Sequence, residues 1–142
     1  MRKSGRSLMS FLWGVVGWTL LVAAAHAQPA NDNFGNAVTL SGEVVNTTGS
    51  NVGATREPGE PQHAGNATTA SVWWRWTANR SGTVNVDTVG SSFDTVLAIY
   101  TGTAVNGLTE IGSNDDSGGV QSRVSFQATQ GTTYQIAVAG FD

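Results

Sequence analysis

The sequence predicts an all-β domain, an antiparallel two-sheet sandwich of jelly-roll type. Three observations carry that reading. Apolar and polar residues alternate with period two in several stretches, turn residues punctuate them at short intervals, and no segment beyond the leader has helical periodicity.

The alternation is clearest where Val84 and Val86 interleave with Thr83, Asn85 and Asp87, and where Val124, Phe126 and Ala128 interleave with Ser125, Gln127 and Thr129. Tyr134, Ile136 and Val138 repeat it. Each such run has one face for a core and one for water, as antiparallel sheets require. Arg80-Ser81-Gly82, Gly90-Ser91-Ser92, Asn106-Gly107, Asp116-Ser117-Gly118-Gly119 and Gln130-Gly131 mark the turns between them. Strands are therefore expected near 43–48, 71–78, 82–88, 95–101, 109–113, 122–128 and 133–139.

Residues 1–27 read as a secretory signal peptide. Arg2, Lys3 and Arg6 open it, an apolar stretch runs from Leu8 to Ala25, and Ala25-His26-Ala27 fits a small-x-small cleavage site. An uncleaved membrane anchor is the alternative, since the apolar stretch is close to spanning length. Residues 28–142 then form a single domain, secreted or held at the cell surface or in the periplasm. They carry four arginines, no lysine and ten acids, a net charge of about −6. That balance disfavours nucleic acid and anionic membrane surfaces as partners, since both require clustered Lys and Arg. The chain has no cysteine, so a small exported domain must hold together without disulfides, and calcium is a candidate staple.

The segment 49–70, GSNVGATREPGEPQHAGNATTA, is too rich in Gly and Pro for a regular strand. Loops of this length inside compact domains are usually functional or mobile. It holds His63, the one histidine after the leader, with Glu57 and Glu60 nearby. Catalysis finds little support in these residues: no G-x-S-x-G elbow and no H-E-x-x-H motif occurs. A triad would have to be built on His63. The sequons at Asn46 and Asn66 reflect a composition rich in Asn and Thr.

SVWWRW (71–76) concentrates three tryptophans in four positions. In a strand, Val72, Trp74 and Trp76 share one face, which is expected to fill the core. Trp73 and Arg75 share the other and are the candidate ligand-binding pair, with an exposed Trp73 (or Tyr100) serving as a carbohydrate platform. Calcium needs six to eight oxygens, mostly from loops. The candidate metal ligands are Asn31, Asp32 and Asn33 near the mature N-terminus, Glu57 and Glu60 in the long loop, and Asp115 and Asp116 at a turn. For that turn, side-chain capping by Asn114, Asp115 and Asp116 is the competing role. Asp94 is expected to bond backbone N–H groups at a strand start.

The succession NDNFGNAVTL (31–40), GATREPGEPQHAG (53–65), SVWWRWTA (71–78), GTVNVDTVGSSFDTVLAIYTG (82–102), SNDDSGGVQSRVSF (113–126) and GTTYQIAVAG (131–140) resembles the bacterial pre-peptidase C-terminal (PPC) domain superfamily. That superfamily includes the collagen-binding domains of bacterial collagenases. The resemblance covers essentially all of 31–142 and implies a β-sandwich accessory module that is not an enzyme. Its expected role is adhesion to an extracellular polymer or protein. The alternatives are a spacer repeat between neighbouring domains of a longer chain, or a carbohydrate-binding module using Trp73. Two departures stand out. Members usually continue past the VAGF segment (138–141) into a further turn and strand, so the sandwich is expected to lack its last strand and the chain to be truncated at its C-terminus. Calcium-binding relatives also carry acids just before the aromatic strand, where this chain has Thr69-Ala70-Ser71.

Overall fold

The structure is a computed structural model describing residues 27–66, 68 and 70–141. The leader expected over 1–27 lies outside these residues, apart from Ala27. Among the described residues no helix is long and apolar enough to cross a membrane. Among the described residues seven strands form: β1 (Val38–Leu40), β2 (Ser71–Thr77), β3 (Gly82–Asp87), β4 (Thr95–Thr101), β5 (Thr109–Asn114), β6 (Arg123–Ala128) and β7 (Thr133–Gly140). Short 3-10 turns occupy Phe34–Asn36 and Val105–Gly107. The all-β sandwich read from the sequence is the fold observed.

The first strand differs from expectation. Residues 41–50 are exposed throughout and outside any strand, whereas Val38–Leu40 pairs in parallel with Trp74–Trp76. The β-branched residues Val44, Val45, Thr47 and Thr48 are not sufficient for a strand, because a strand also needs a backbone edge to bond. β2 offers that edge to 38–40, while 43–48 has none beside it.

The sheets are unequal. Five strands in the order β1-β2-β7-β4-β5 form one layer, and β3 and β6 alone form the other. Val72 and Trp74 of β2, Leu97 and Ile99 of β4, and Tyr134 and Ile136 of β7 point between the layers. Val124, Phe126 and Ala128 of β6 meet them, with Val84 and Val86 of β3 half-buried at the margin. On one side the layers close where β5 runs beside β6; a Cβ at Gly112 would come 3.0 Å from Val124. On the other side, the outer edge of β3 pairs with no strand among the described residues.

The larger sheet is buried on its second face too. Trp73, Ala98, Tyr100 and Ala137 form a separate cluster there with Ala37, packed against Phe34, Val105 and Leu108. The register explains the fit: Trp73 stands opposite Ala137, which stands opposite Ala98. Two alanines in a row leave room for the indole.

Candidate functional site

Trp73 is fully buried, at 0% exposure, which rules out its use as an exposed ligand platform. Phe34 and His63 pack edge-on against it, with ring centroids 5.3 and 5.5 Å away, and its indole nitrogen has no partner among the described residues. Tyr100, the other candidate platform, is buried at 1%. Arg75 shares that face as expected, but its guanidinium is engaged: it donates to the carbonyls of Phe34 and Gly35 at 3.3 and 3.2 Å and so holds the first 3-10 turn.

The long loop covers this face through a buried polar chain. His63 enters it from a tight turn in which Ala64 and Gly65 both have positive φ, 49° and 74°, bridging His63 to Asn66. Two successive positive φ values define a type I′ turn. His63 Nε2 lies 2.8 Å from Glu60 Oε1, and its Nδ1 lies 2.8 Å from the Tyr100 hydroxyl. Ser71 donates to the same carboxylate oxygen, and the Glu57 N–H donates to Glu60 Oε2 at 2.8 Å. An ionised carboxylate only accepts, so His63 Nε2 carries a proton and donates to Glu60, while Nδ1 and the Tyr100 hydroxyl share the second hydrogen bond. Burial pushes the Glu60 pKa up, but the hydrogen bonds from His63, Ser71 and the Glu57 backbone outweigh it and hold it below 4.5. Burial, aided by the charges of Glu110 and Glu60, pushes the Tyr100 phenol above its ordinary value. His63 and Ser71 are sealed at 0% and 1% exposure, so the imidazole is committed at both nitrogens and reaches no solvent. It cannot serve as a base for an external substrate.

The N-terminal arm and long loop lie side by side, bringing Asn31, Asp32, Glu57 and Glu60 into one region. Their polar groups meet protein donors and acceptors. Asn31 pairs with the Trp73 backbone, donating from Nδ2 at 3.0 Å and accepting from the Trp73 N–H at 2.9 Å. Asp32 accepts from the Thr55 N–H, the Thr55 hydroxyl and Gln28. Glu57 accepts from the Phe34 N–H. Asn33 is exposed at the start of the 3-10 turn and makes no side-chain cap there. These groups stitch the arm to the loop.

Asp115 and Asp116 instead converge with Asp94, placing one carboxylate oxygen from each within 4.8 Å of the others. Asp94 was expected to cap its own strand, yet its Oδ1 is inaccessible and unpartnered among the described residues, as is Asp115 Oδ1. Partial burial, then the charges of Asp116 and Asp115, raise the Asp94 pKa. The strand start is held by Thr95, whose hydroxyl meets Thr88 at 2.6 Å and Ser122 at 3.3 Å. The capping expected of Asn114 is present, with Nδ2 donating to the Asp116 carbonyl at 3.0 Å and Oδ1 accepting from the Arg123 N–H at 2.9 Å. The meeting of Asp94 with this turn, across 21 positions of sequence, had no signal in local spacing.

A groove of about 1170 Å³ opens between the layers, on the side where β3 ends the smaller sheet. Trp74, Trp76, Leu97, Phe126 and Ile136 form its floor, and residues 42–51 and 82–93 form its rims. Trp76 donates to the Gly42 carbonyl at 2.9 Å, and Gly49 lies so close to Trp74 that a Cβ there would come 2.7 Å from the ring. Sequence periodicity placed Trp74 and Trp76 in the core and carried no signal for this groove.

No curated protein and no solved structure matches the chain. A family model does, that of the bacterial pre-peptidase C-terminal domain, over residues 70–140, from the start of the aromatic strand to the end of β7. That span is half of the chain and contains six of the seven strands, so the chain belongs to the bacterial pre-peptidase C-terminal domain family.

Proposed function

We propose that this chain is a non-catalytic adhesion module that attaches an exported protein to an extracellular polymer or protein. Domains of this family are accessory domains of secreted bacterial proteins. The observation that carries the reading is the fate of His63: the imidazole that could have served a hydrolytic site is sealed inside and spent on Glu60 and Tyr100. The open groove, with aromatic side chains on its floor, supports a binding role. Co-sedimentation of the purified protein with insoluble fibrous protein, peptidoglycan, cellulose and chitin tests the reading. Saturable binding to one of them without turnover is the expected outcome, and no binding to any of them contradicts it.

Calcium has a structural place in the same reading. The candidates Asn31, Asp32, Glu57 and Glu60 already meet protein partners, so they fit an ion poorly. Asp94, Asp115 and Asp116 fit better, because two of their oxygens are buried without a donor and calcium binds through such oxygens. There an ion would fasten the start of β4 to the turn after β5, replacing like-charge repulsion with attraction.

A further inference from the structure

We infer that Asn106, in the turn between β4 and β5, is a site of spontaneous deamidation, and that its conversion to aspartate and isoaspartate loosens the long loop from the sheet. The inference is independent of the adhesion reading.

The chemistry belongs to the pair Asn106-Gly107. Asn106 is the only asparagine of the chain that is followed by glycine. In the reaction the backbone nitrogen of Gly107, having given its proton to hydroxide, attacks Asn106 Cγ. A C–N bond forms, the side-chain amide leaves as ammonia, and a cyclic imide remains. Water then opens the ring at one carbonyl to give aspartate, or at the other to give isoaspartate. Nothing is oxidised or reduced. A side chain on the following residue obstructs the attack, and glycine has none.

The surroundings leave this pair open. Asn106 and Gly107 are both exposed in the 3-10 turn Val105–Gly107. No other part of the protein lies within 4 Å of where a Cβ on Gly107 would sit. Asn31, Asn66, Asn79 and Asn114 commit their side-chain amides to hydrogen bonds, whereas no such bond holds Asn106 among the described residues. One restraint opposes the attack, because the Gly107 N–H donates to the Ala104 carbonyl at 3.0 Å. A single exposed 3-10 turn has poor hydrogen-bond geometry and opens without unfolding the sheet beside it.

Asn106 is also where this turn meets the long loop. Gly59 has a φ of 85°, and a Cβ there would come 2.8 Å from Asn106 Cβ, so turn and loop touch with no side chain of residue 59 between them. Glu57 and Glu60 lie on the loop close to that glycine. Val105 and Leu108, on either side of the pair, pack against the cluster around Trp73. Conversion places a new carboxylate beside the acids of the loop, where like charges repel. Isoaspartate also moves the Cβ of residue 106 from the side chain into the main chain, at the contact itself. Both changes push the turn away from the loop.

The test ages the purified protein at neutral and mildly alkaline pH, folded and in urea. Tandem mass spectrometry locates converted asparagines, and enzymatic methylation detects isoaspartate. The expected result is conversion at Asn106 in the folded protein, faster at the higher pH, at a rate within about tenfold of that in urea, since one exposed hydrogen bond is all that restrains it. Gly107→Ala fits the open space and a φ outside the left-handed region. It should melt like the parent and convert about tenfold more slowly or less than that. Aged protein and the Asn106→Asp variant should both exchange the amides of 57–60 and 104–108 several-fold faster than fresh parent. Full conversion in urea with Asn106 intact in the folded protein overturns the site, as does an undiminished rate in Gly107→Ala. Unchanged exchange over 57–60 in fully converted protein overturns the coupling to the loop.

Discussion

His63 Nε2 lies 2.8 Å from Glu60 Oε1, and this buried contact joins the long loop to the sheet beneath it. Both groups are sealed, and Tyr100 and Ser71 complete the chain from β4 and β2. Removing one member of a buried hydrogen-bonded pair leaves the other's polar atom without its partner. His63→Phe and Glu60→Gln should each cost about 2–3 kcal/mol, and Tyr100→Phe about 1 kcal/mol. In urea melts, the His63→Phe and Glu60→Gln losses should be far from additive in the double variant. Additive losses would show that the two side chains do not act as a pair.

The same contact sets an acid limit. Folding lowers the Glu60 pKa below 4.5, so its contribution is present above 4.5 and is lost as pH falls through the folded value. The parent protein should therefore lose stability more steeply than Glu60→Gln below about pH 4.5, with the curves running parallel above it. Parallel curves throughout would place the acid sensitivity elsewhere.

Trp73 is a core residue. Trp73→Ala should cost about 3–5 kcal/mol, as expected for a large buried aromatic. A protein in which Trp73 is the only tryptophan after the leader, with phenylalanine at 74 and 76, should resist iodide quenching. Strong quenching with an intact fold would return Trp73 to the surface.

Asp94, Asp115 and Asp116 should behave oppositely with and without calcium. In EDTA, Asp94→Asn removes like-charge repulsion and should raise the melting temperature. With calcium at about a hundred times its dissociation constant, the parent should gain roughly 2.7 kcal/mol, and the variant should lose most of that gain. Identical parent melts in calcium and EDTA would remove the metal from the account.

Much of the sandwich was legible in the sequence because alternation reports directly on a sheet with one wet face. The sequence misled in two places. At 43–48 the strand-favouring residues Val44, Val45, Thr47 and Thr48 are present but the neighbouring strand is not. At Trp73, the polar residues Arg75 and Thr77 suggested a wet face, although that face is covered at Trp73 by the long loop and N-terminal arm. A signal existed in TVLAIY (95–100): its unbroken apolar run marks a strand buried on both sides, and β4 is buried from Thr95 to Tyr100. The convergence of Glu60, His63, Ser71 and Tyr100 depends on how the loop folds back, and that of Asp94 with Asp115 and Asp116 on how strands cross. Neither leaves a periodic trace along the chain.

The most direct test of the adhesion account is amide hydrogen exchange on the protein free and bound to whichever polymer it co-sediments with. The account predicts slower exchange in 82–90 and 42–51, around the groove, with 54–66 already protected in both states. Protection confined to 54–66 or to 113–117, with the groove unchanged, would contradict it.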